Sequence, residues 1–364
     1  MRLLTALLFV GSAFAQSVPM GSVAPTTAPP ACTPASGYAH CRVLTTDYTQ
    51  AGSSDSSYFP LLVSVTLGSS RVQNASCYDV IFTSDSGGTT KIPWEQEACT
   101  QATGAGIWWV KLATLSHTVA KTVYVSYDNA SISTPQNTGS YAPTAVWDSY
   151  TSSVYHLSNG TTLSLLDSTG NANMSNCANG PSATAGYIAG GAAFTASPVI
   201  CAGSSSLDST GNRTLSFWTA TSNCSSVAVQ AYLDRSSSSD YLVVGCTGTV
   251  WAASAQNSAT YTKQSTVAPT SAWTHIAVTK TTGSITHIYV NGADVTTTAT
   301  GAFTDAAVST IFGTSYSGGS VTAPMAGSLD EIQYATTQRS ADWILAEYNN
   351  QKSGSTFLRM GSEI

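Results

Sequence analysis

Carboxylates are the side chains of this sequence most able to do chemistry, and they are scarce, since Asp and Glu together number 19 among 364 residues. Glu95 and Glu97 are the closest glutamate pair. On a β-strand, residues two apart lie on one face with backbones roughly 6.5–7 Å apart, and glycoside hydrolysis needs two carboxyl groups at a separation of this order. Trp94, Trp108 and Trp109 are near in sequence and could stack on a sugar ring. The competing interpretation is a solvated strand face.

Other catalytic patterns are missing from the sequence. Asp330 and Glu331 are adjacent, so on a strand they are expected to point to opposite faces. No Gly-x-Ser-x-Gly motif marks a nucleophilic serine, and no Cys-x-x-Cys pair suggests a zinc or redox site. The five histidines are scattered without metal-ligand spacing. The sequence therefore favours a protein without catalytic activity, and a glycan-cleaving enzyme that uses Glu95 and Glu97 is the alternative.

The charge balance argues against two classes of partner. Only 9% of the residues are charged, against about 25% in typical soluble domains. The formal net charge is −6 and the pI is about 5.2. No basic stripe is available to neutralise nucleic-acid phosphates, and an anionic membrane surface is equally disfavoured.

Residues 1–15 have the pattern of a secretory signal peptide. One Arg precedes the apolar run 3–10, and Ala13-Phe14-Ala15 forms a small-residue cleavage site. The apolar run is too short to span a bilayer comfortably, and no later run of about 20 apolar residues occurs. We therefore expect a secreted protein with no membrane span in its mature chain. Residues 16–36 are rich in Pro, Ser and Thr and predict an extended linker.

Eight cysteines in an exported chain point to disulfides. Proximity suggests pairing in chain order, although sequence alone leaves the connectivity open: Cys32–Cys41, Cys77–Cys99, Cys177–Cys201 and Cys224–Cys246. Asn-x-Ser/Thr sequons are candidates for N-glycosylation on exposed loops. They begin at Asn74, Asn129, Asn159, Asn173, Asn212 and Asn223.

Hydrophobic patterning predicts strands almost throughout. Ser, Gly, Asn and Asp clusters separate the β-rich runs 41–46, 59–66, 78–83, 107–112 and 122–127, so residues 37–131 predict a β-sandwich domain. Residues 132–146 are turn-rich and predict a linker. A second β-rich block follows, and its clearest element is the hairpin WTHIAVTK-TTGS-ITHIYVNG. Because no βαβ alternation is visible, we expect an all-β fold of two β-sandwich domains in tandem.

Residues 147–358 resemble the laminin-G-like, concanavalin A-like lectin/glucanase jelly roll. The segments that carry the resemblance occur in the family's order: VYHLSN with LDSTGNAN, GYIAGGAAF, LSFWTA, WTHIAVTKTTGSITHIYVNG and GSLDEIQYATTQRSADWILAEYNNQ. Residues 37–131 resemble a domain family of unknown function that precedes such jelly rolls. The carrying segments are YFPLLVSVT, CYDVIFTSDSGGTTKIPWEQE, IWWVKLATLS and TVYVSYDNAS. The resemblance implies that residues 147–364 form a jelly roll closed by a C-terminal helix.

That helix is predicted over residues 340–350. Ser340 is suited to cap its N-terminus. Its apolar residues recur at helical spacing: Trp343, Ile344 and Tyr348. The resemblance implies that this apolar side packs on the jelly roll, and we expect Asp342 and Glu347 to face water.

The resemblance also implies a candidate calcium site. Many such jelly rolls hold Ca²⁺ at the rim through Asp side chains and backbone carbonyls, the hard oxygen ligands that this ion prefers. Asp330 in GSLDEI and Asp167 in LDSTG are the candidate ligands. For Asp330 the competing interpretation is a strand-end carboxylate that accepts backbone hydrogen bonds. Candidates for stacking on a glycan lie near turn-rich stretches: Trp251, Tyr261 and Tyr316.

Jelly rolls of this kind serve as glycan-binding modules, adhesion modules and enzyme accessories, so the resemblance alone does not name a ligand. Our leading hypothesis is a secreted protein that binds carbohydrate or a cell-surface or matrix glycoconjugate without catalysis. The first alternative is the glycan-cleaving enzyme with the Glu95 and Glu97 pair. The second is a structural surface module that binds another protein.

Overall fold

The computed structural model describes residues 31–157, 162–171, 173–178, 180–194, 199–202, 211–221, 230–235, 241–247, 250–257, 259–282, 284–297, 310–313, 316–317, 320–321 and 325–364. The N-terminal strands are β1 (His40–Thr46), β2 (Ser56–Thr66), β3 (Ile81–Thr83), β4 (Trp94–Thr100), β5 (Ala105–Leu115) and β6 (Thr122–Tyr127). Short 3₁₀ helices occupy Tyr48–Gln50, Gly139–Tyr141 and Pro143–Ala145.

The remaining elements follow in chain order. They are β7 (Thr151–Tyr155), β8 (Met174–Ala178), β9 (Ser182–Ala185), β10 (Gly190–Phe194), β11 (Val199–Ala202), β12 (Arg213–Ala220), β13 (Gln230–Arg235), β14 (Tyr241–Thr247), β15 (Val250–Asn257), β16 (Ala259–Gln264), β17 (Thr274–Thr281), β18 (Ser284–Val290), β19 (Ala293–Asp294), β20 (Thr310–Phe312), β21 (Tyr316–Ser317), β22 (Ser320–Val321), β23 (Gly327–Ala335), α1 (Ala341–Gln351) and β24 (Leu358–Met360). Across the described residues the fold is all-β with one short α-helix near the C-terminus, as predicted.

The strands form four larger sheets within the described chain. Sheet 1 has the order β24-β1-β6-β3, and sheet 2 has the order β2-β5-β4. Sheet 3 has the order β19-β18-β17-β12-β23-β10-β9, with β7 also paired to β23. Sheet 4 has the order β16-β15-β14-β13-β20-β11-β8. We call sheets 1 and 2 the N-terminal unit and sheets 3 and 4 the jelly roll.

Sheet 2 buries both of its faces, and the alternation of side chains along β5 shows how. Trp108 and Val110 pack in the core between sheets 1 and 2. Ile107 and Trp109 point the other way, into an apolar layer that also contains Val154 of β7. Because successive strand residues point to opposite faces, sheet 2 contributes to both layers and is packed between sheet 1 and sheet 3.

Sheet 3 is likewise buried on both faces. Leu215, Phe217 and Ile276 pack toward Val244 and Trp251 of sheet 4 in the jelly-roll core. The opposite face meets the N-terminal unit and α1. The N-terminal unit and the jelly roll therefore share a buried layer, which we call the junction.

The C-terminal residues bind the N-terminal unit as well as the jelly roll. Ser340 caps α1 by accepting a hydrogen bond from the Trp343 backbone N–H at 3.1 Å, as predicted. Trp343 and Ile344 are buried in the core of the N-terminal unit, where the Trp343 ring lies 5.3 Å from that of Phe59. β24 then pairs antiparallel with β1. The segment 341–360, predicted to close the jelly roll alone, thus completes the N-terminal unit too.

The prediction that Glu347 faces water is wrong. Its side chain is buried, and Ser216 Oγ of sheet 3 donates to Glu347 Oε1 at 2.6 Å. The reason is that α1 lies between the two units, so its second face is covered by sheet 3. Asp342, by contrast, is only partly buried and accepts hydrogen bonds from Ser53 and Ser54.

Two disulfides join Cys32 to Cys41 and Cys77 to Cys99, the first two pairs that proximity suggests. Cys224 and the side chains of Cys177, Cys201 and Cys246 lie outside the described residues, so the other two pairs stay predictions. No helix of the described chain is both long and apolar enough to cross a membrane.

The sequons differ in exposure. Asn173 and Asn212 are exposed, whereas Asn74 and Asn129 are half-buried. The Asn74 amide nitrogen also donates to the Ile132 carbonyl at 3.0 Å. Asn159 and Asn223 lie outside the described residues.

Candidate functional site

Four ionisable side chains meet at the junction: Glu95, Glu97, His156 and Glu331. We call them the carboxylate–histidine cluster. His156 Nδ1 lies 2.9 Å from both carboxylate oxygens of Glu331. The same nitrogen lies 3.7 Å from Glu97 Oε2, and His156 Nε2 lies 3.5 Å from Glu95 Oε2. The N-terminal unit supplies the first two carboxylates and the jelly roll supplies the imidazole and the third.

A β-bulge turns Glu331 toward the junction. Trp218 of β12 pairs with Asp330, but Ser216 pairs with Gln333, so two residues of β23 oppose one of β12. Glu331 takes a positive φ of 50°, which non-glycine residues rarely adopt and which often marks a functional position. The prediction that Asp330 and Glu331 point to opposite faces is therefore wrong. The flanking Leu329 and Ile332 both pack in the jelly-roll core, which leaves both carboxylates on the junction side.

A second bulge lies in β4. Gln96 pairs with Trp108 and Ala98 with Ile107, so Glu97 is the extra residue. Glu95 and Glu97 both reach His156, as their spacing predicts for one strand face. The expectation that this face is solvated is wrong, since the side chains are only 14% and 1% exposed.

Tryptophan side chains hold the carboxylates in place. Trp109 Nε1 donates to Glu97 Oε2 at 2.9 Å, and Trp147 Nε1 donates to Glu95 Oε2 at 3.1 Å. Ser168 Oγ donates to Glu95 Oε1 at 2.6 Å. The Trp109 ring also stacks on His156, with 5.4 Å between the ring centroids.

Burial dominates the electrostatics of the cluster. Desolvation and the charge of Glu331 raise the pKa of Glu97 well above its ordinary value. Desolvation also raises the pKa of Glu331, although the charge of His156 opposes it. Burial alone would lower the pKa of His156, but the carboxylates around it outweigh that effect and raise its pKa well above the ordinary value. The cluster therefore retains protons or requires another positive charge.

The calcium candidates accept hydrogen bonds from the protein. Asp330 Oδ2 accepts from the backbone N–H groups of Tyr187 and Ile188 at 2.7 and 2.8 Å, and its Oδ1 accepts from Glu331 N–H at 2.8 Å. Burial and the charges of Glu331 and Glu97 raise the pKa of Asp330 well above its ordinary value.

Asp167 has a similar set of partners. Its Oδ1 accepts from the backbone N–H groups of Val154 and Thr169, each at 2.9 Å. Its Oδ2 accepts from Thr169 Oγ1 at 2.8 Å. Through these contacts, both aspartates hold the backbone of neighbouring segments in place. Calcium binding at either position stays a prediction.

Of the three aromatic candidates for glycan stacking, the structure describes the side chain of Trp251. Trp251 is 1% exposed and packs in the jelly-roll core, so the expectation that its indole is available to a surface ligand is wrong. Its strand β15 lies inside sheet 4, where alternate residues point to sheet 3. Tyr261 and Tyr316 are in β16 and β21, and their side chains lie outside the described residues.

The two residues that turn the Glu95 and Glu97 pair into a cluster were not predicted from the sequence. His156 and Glu331 are 175 residues apart in the chain, and no local pattern connects them. One signal was available for His156: it follows Val154 and Tyr155 and precedes Leu157, and a polar side chain in such an apolar run requires a partner on burial.

Residues 194–345 match the family model described as the concanavalin A-like lectin/glucanases superfamily. No curated protein matches the chain. Among solved structures, the chain is similar to domain 4 of AbnA, a GH43 extracellular arabinanase from Geobacillus stearothermophilus, in complex with arabinotriose. The identity is 19%, the match covers 54% of this chain and 97% of that one, and the TM-score is 0.46.

Two toxin domains are also similar. The binding domain of Paraclostridial Mosquitocidal Protein 1 is 11% identical, with 55% of this chain and 52% of that one covered and a TM-score of 0.45. The botulinum neurotoxin serotype C1 binding domain is 13% identical, with 56% and 52% covered and a TM-score of 0.44. The chain thus spans about half the length of these two. With the sheets described above, the match to the family model identifies residues 194–345 as part of a concanavalin A-like lectin/glucanase domain.

Proposed function

We propose that this protein is a secreted, non-catalytic carbohydrate- or glycoconjugate-binding protein whose ligand surface belongs to the jelly roll. The observation that carries the proposal is the enclosure of Glu95 and Glu97. Hydrolysis requires two carboxyl groups placed on either side of the scissile bond of a bound glycan. Here the two side chains contact His156 and tryptophan N–H groups between sheets 2 and 3, so a polymer chain has no access to them.

The same packing restricts where a ligand would bind. The face of sheet 3 that is turned away from the jelly-roll core meets the N-terminal unit and α1. Sheet 4 and its connections are therefore the part of the jelly roll left for a ligand. Tyr261 on β16, the edge strand of sheet 4, and Tyr316 on β21 are the candidate stacking residues.

Secretion is supported by the two disulfides of the N-terminal unit, because such bonds persist in oxidising compartments. It also agrees with the signal-peptide pattern of residues 1–15. Extracellular glycans are the ligands that such a protein would meet.

The test is a glycan array with polysaccharide pull-downs, run on the mature protein with calcium and with EDTA. Supernatants are assayed for released reducing sugar. We expect binding without sugar release, and loss of binding in Tyr261→Ala or Tyr316→Ala. Tyr58→Ala is the matched control, since Tyr58 is a 52% exposed tyrosine of β2 in the N-terminal unit.

Two outcomes would overturn the proposal. Sugar release that disappears in Glu95→Gln and Glu97→Gln would identify a glycan-cleaving enzyme. A protein that binds none of the glycans would favour the alternative hypothesis of a structural module that binds another protein. Loss of binding in EDTA that is restored by added Ca²⁺ but not by Zn²⁺ would add a calcium site, with Asp330→Asn and Asp167→Asn as the variants that locate it.

A further inference from the structure

The carboxylate–histidine cluster contains more acidic than basic groups. Three glutamates surround one imidazole, and Asp330 lies directly before Glu331. The side chains of Glu97 and Glu331 are 1% and 0% exposed, and that of His156 is 8% exposed. Water therefore does little to screen these charges, and buried charges need partners of opposite sign.

Two buried atoms of the cluster have no hydrogen-bond partner: Glu97 Oε1 and His156 Nε2. Buried polar atoms are nearly always paired, so each exception needs an explanation. Both atoms belong to side chains that converge at the junction. Glu97 Oε1 is thus available to a metal ion, and His156 Nε2 is available to donate to a neighbouring carboxylate while Nδ1 of the same ring binds the ion.

The geometry points to a divalent metal site, which we assign to Zn²⁺, bound by Glu97, Glu331 and His156. One ligand atom from each of these residues lies within 4.8 Å of the other two. A tetrahedral zinc ion with bonds of about 2.0–2.1 Å separates its ligand atoms by roughly 3.3–3.4 Å. The separations of His156 Nδ1 from Glu331 Oε1 and from Glu97 Oε2, 2.9 and 3.7 Å, bracket that value.

The surroundings of the cluster fit this assignment. With Nδ1 on the metal, the Nε2–H of His156 would point to Glu95 Oε2, now 3.5 Å away. A carboxylate behind a metal-binding imidazole is the usual device that fixes the ring. Trp147 and Ser168 already hold Glu95, and Trp109 already holds Glu97.

The donor set also distinguishes the metal. Ca²⁺ takes six to eight oxygen ligands and disfavours imidazole, whereas Zn²⁺ is commonly bound by imidazole and carboxylate together. The proposed site is separate from the predicted calcium ligand Asp167. Because Glu97 belongs to the N-terminal unit and the other two ligands to the jelly roll, the ion would join the two units.

The test is metal analysis of the protein purified from zinc-containing medium, by inductively coupled plasma mass spectrometry after extensive dialysis. We expect about one zinc ion per chain, and a lower melting temperature after removal of the ion with a strong chelator, restored by adding Zn²⁺. Glu97→Gln and His156→Gln should lose the ion. The matched control is His287→Gln, which removes an exposed histidine whose Nδ1 lies 2.7 Å from Asp294.

Anomalous diffraction at the zinc edge from crystals of the unsubstituted protein locates the ion even if the variants fail to fold. A peak between Glu97, His156 and Glu331 is the expected result. Two results would overturn the assignment: a zinc content near zero in protein folded with Zn²⁺ present, or zinc that sits elsewhere and is retained by both variants.

Discussion

Asn350 of α1 hydrogen-bonds to both backbone groups of Leu62 in β2. Its Oδ1 accepts from the Leu62 N–H at 2.7 Å, and its Nδ2 donates to the Leu62 carbonyl at 3.1 Å. Both bonds are buried, so α1 is attached to sheet 2 by a pair of contacts that only an amide side chain can make. This attachment links the C-terminal segment to the N-terminal unit.

Asn350→Asp should therefore destabilise the protein. The substitution keeps an acceptor for the Leu62 N–H but places a second oxygen against the Leu62 carbonyl, which loses its donor. We expect a loss of about 1–3 kcal/mol in the free energy of unfolding, measured by urea denaturation. In unglycosylated protein, Asn212→Asp at an exposed position is the control, and equal unfolding midpoints for the two variants would contradict the prediction.

The bidentate pair of Arg339 and Asp148 predicts a stability that depends on pH. Arg339 Nη1 and Nη2 lie 2.7 Å from Asp148 Oδ2 and Oδ1. The two side chains are only 10% and 6% exposed. We expect Asp148→Asn to cost about 3–5 kcal/mol near neutral pH, because it leaves the Arg339 charge buried and unpaired.

The sign of the pH dependence follows from the pKa of Asp148. Burial raises it, but the hydrogen bonds and charge of Arg339 outweigh burial and hold it below the ordinary value of 3.8. The contribution of Asp148 is therefore complete above the unfolded pKa of about 3.9 and is lost as pH falls through the folded pKa. Urea denaturation at about pH 6 and about pH 3 should show the gap between the parent and Asp148→Asn narrowing in acid. A gap that widens in acid would refute this explanation.

Gly106 leaves room for a core tryptophan. A Cβ at this position of β5 would overlap the ring of Trp108, which is fully buried between sheets 1 and 2. We expect Gly106→Ala to lower the free energy of unfolding by about 1–3 kcal/mol through overpacking. Gly361→Ala is the control, because its Cβ would meet its nearest neighbour, the Val43 carbonyl oxygen, at 3.4 Å.

Residues 31–131 produced alone should not fold stably. Without the C-terminal segment this fragment lacks β24 and the buried side chains of Trp343, Ile344 and Phe357. We expect no cooperative thermal transition for the fragment by tryptophan fluorescence. Fusion of residues 340–364 through a flexible linker should restore one, and a fragment that melts cooperatively without them would show that the N-terminal unit is independent.

Local sequence patterns predicted the secondary-structure elements, whereas the carboxylate–histidine cluster depends on contacts between residues far apart in the chain. The hairpin of β17 and β18 and the helix capped by Ser340 were predictable because a turn or a cap lies within a few residues of the pattern it ends. Glu347 was assigned to solvent because a helical pattern does not indicate how many of its faces are covered. His156 meets Glu331 only because β7 pairs with β23, and a bulge opposite Phe217 had no sequence signal.

The pairing of β24 with β1 has a consequence for biosynthesis. β1, β3 and β6 leave the ribosome before any of the jelly roll, but the strand that covers the other side of β1 is translated after it. During that interval the backbone of Leu44 and its neighbours presents an open sheet edge, which favours association with other chains. We therefore expect nascent chains to depend on chaperones until residues 358–360 emerge. Products of premature termination would keep that edge open and would therefore stay prone to association with other chains.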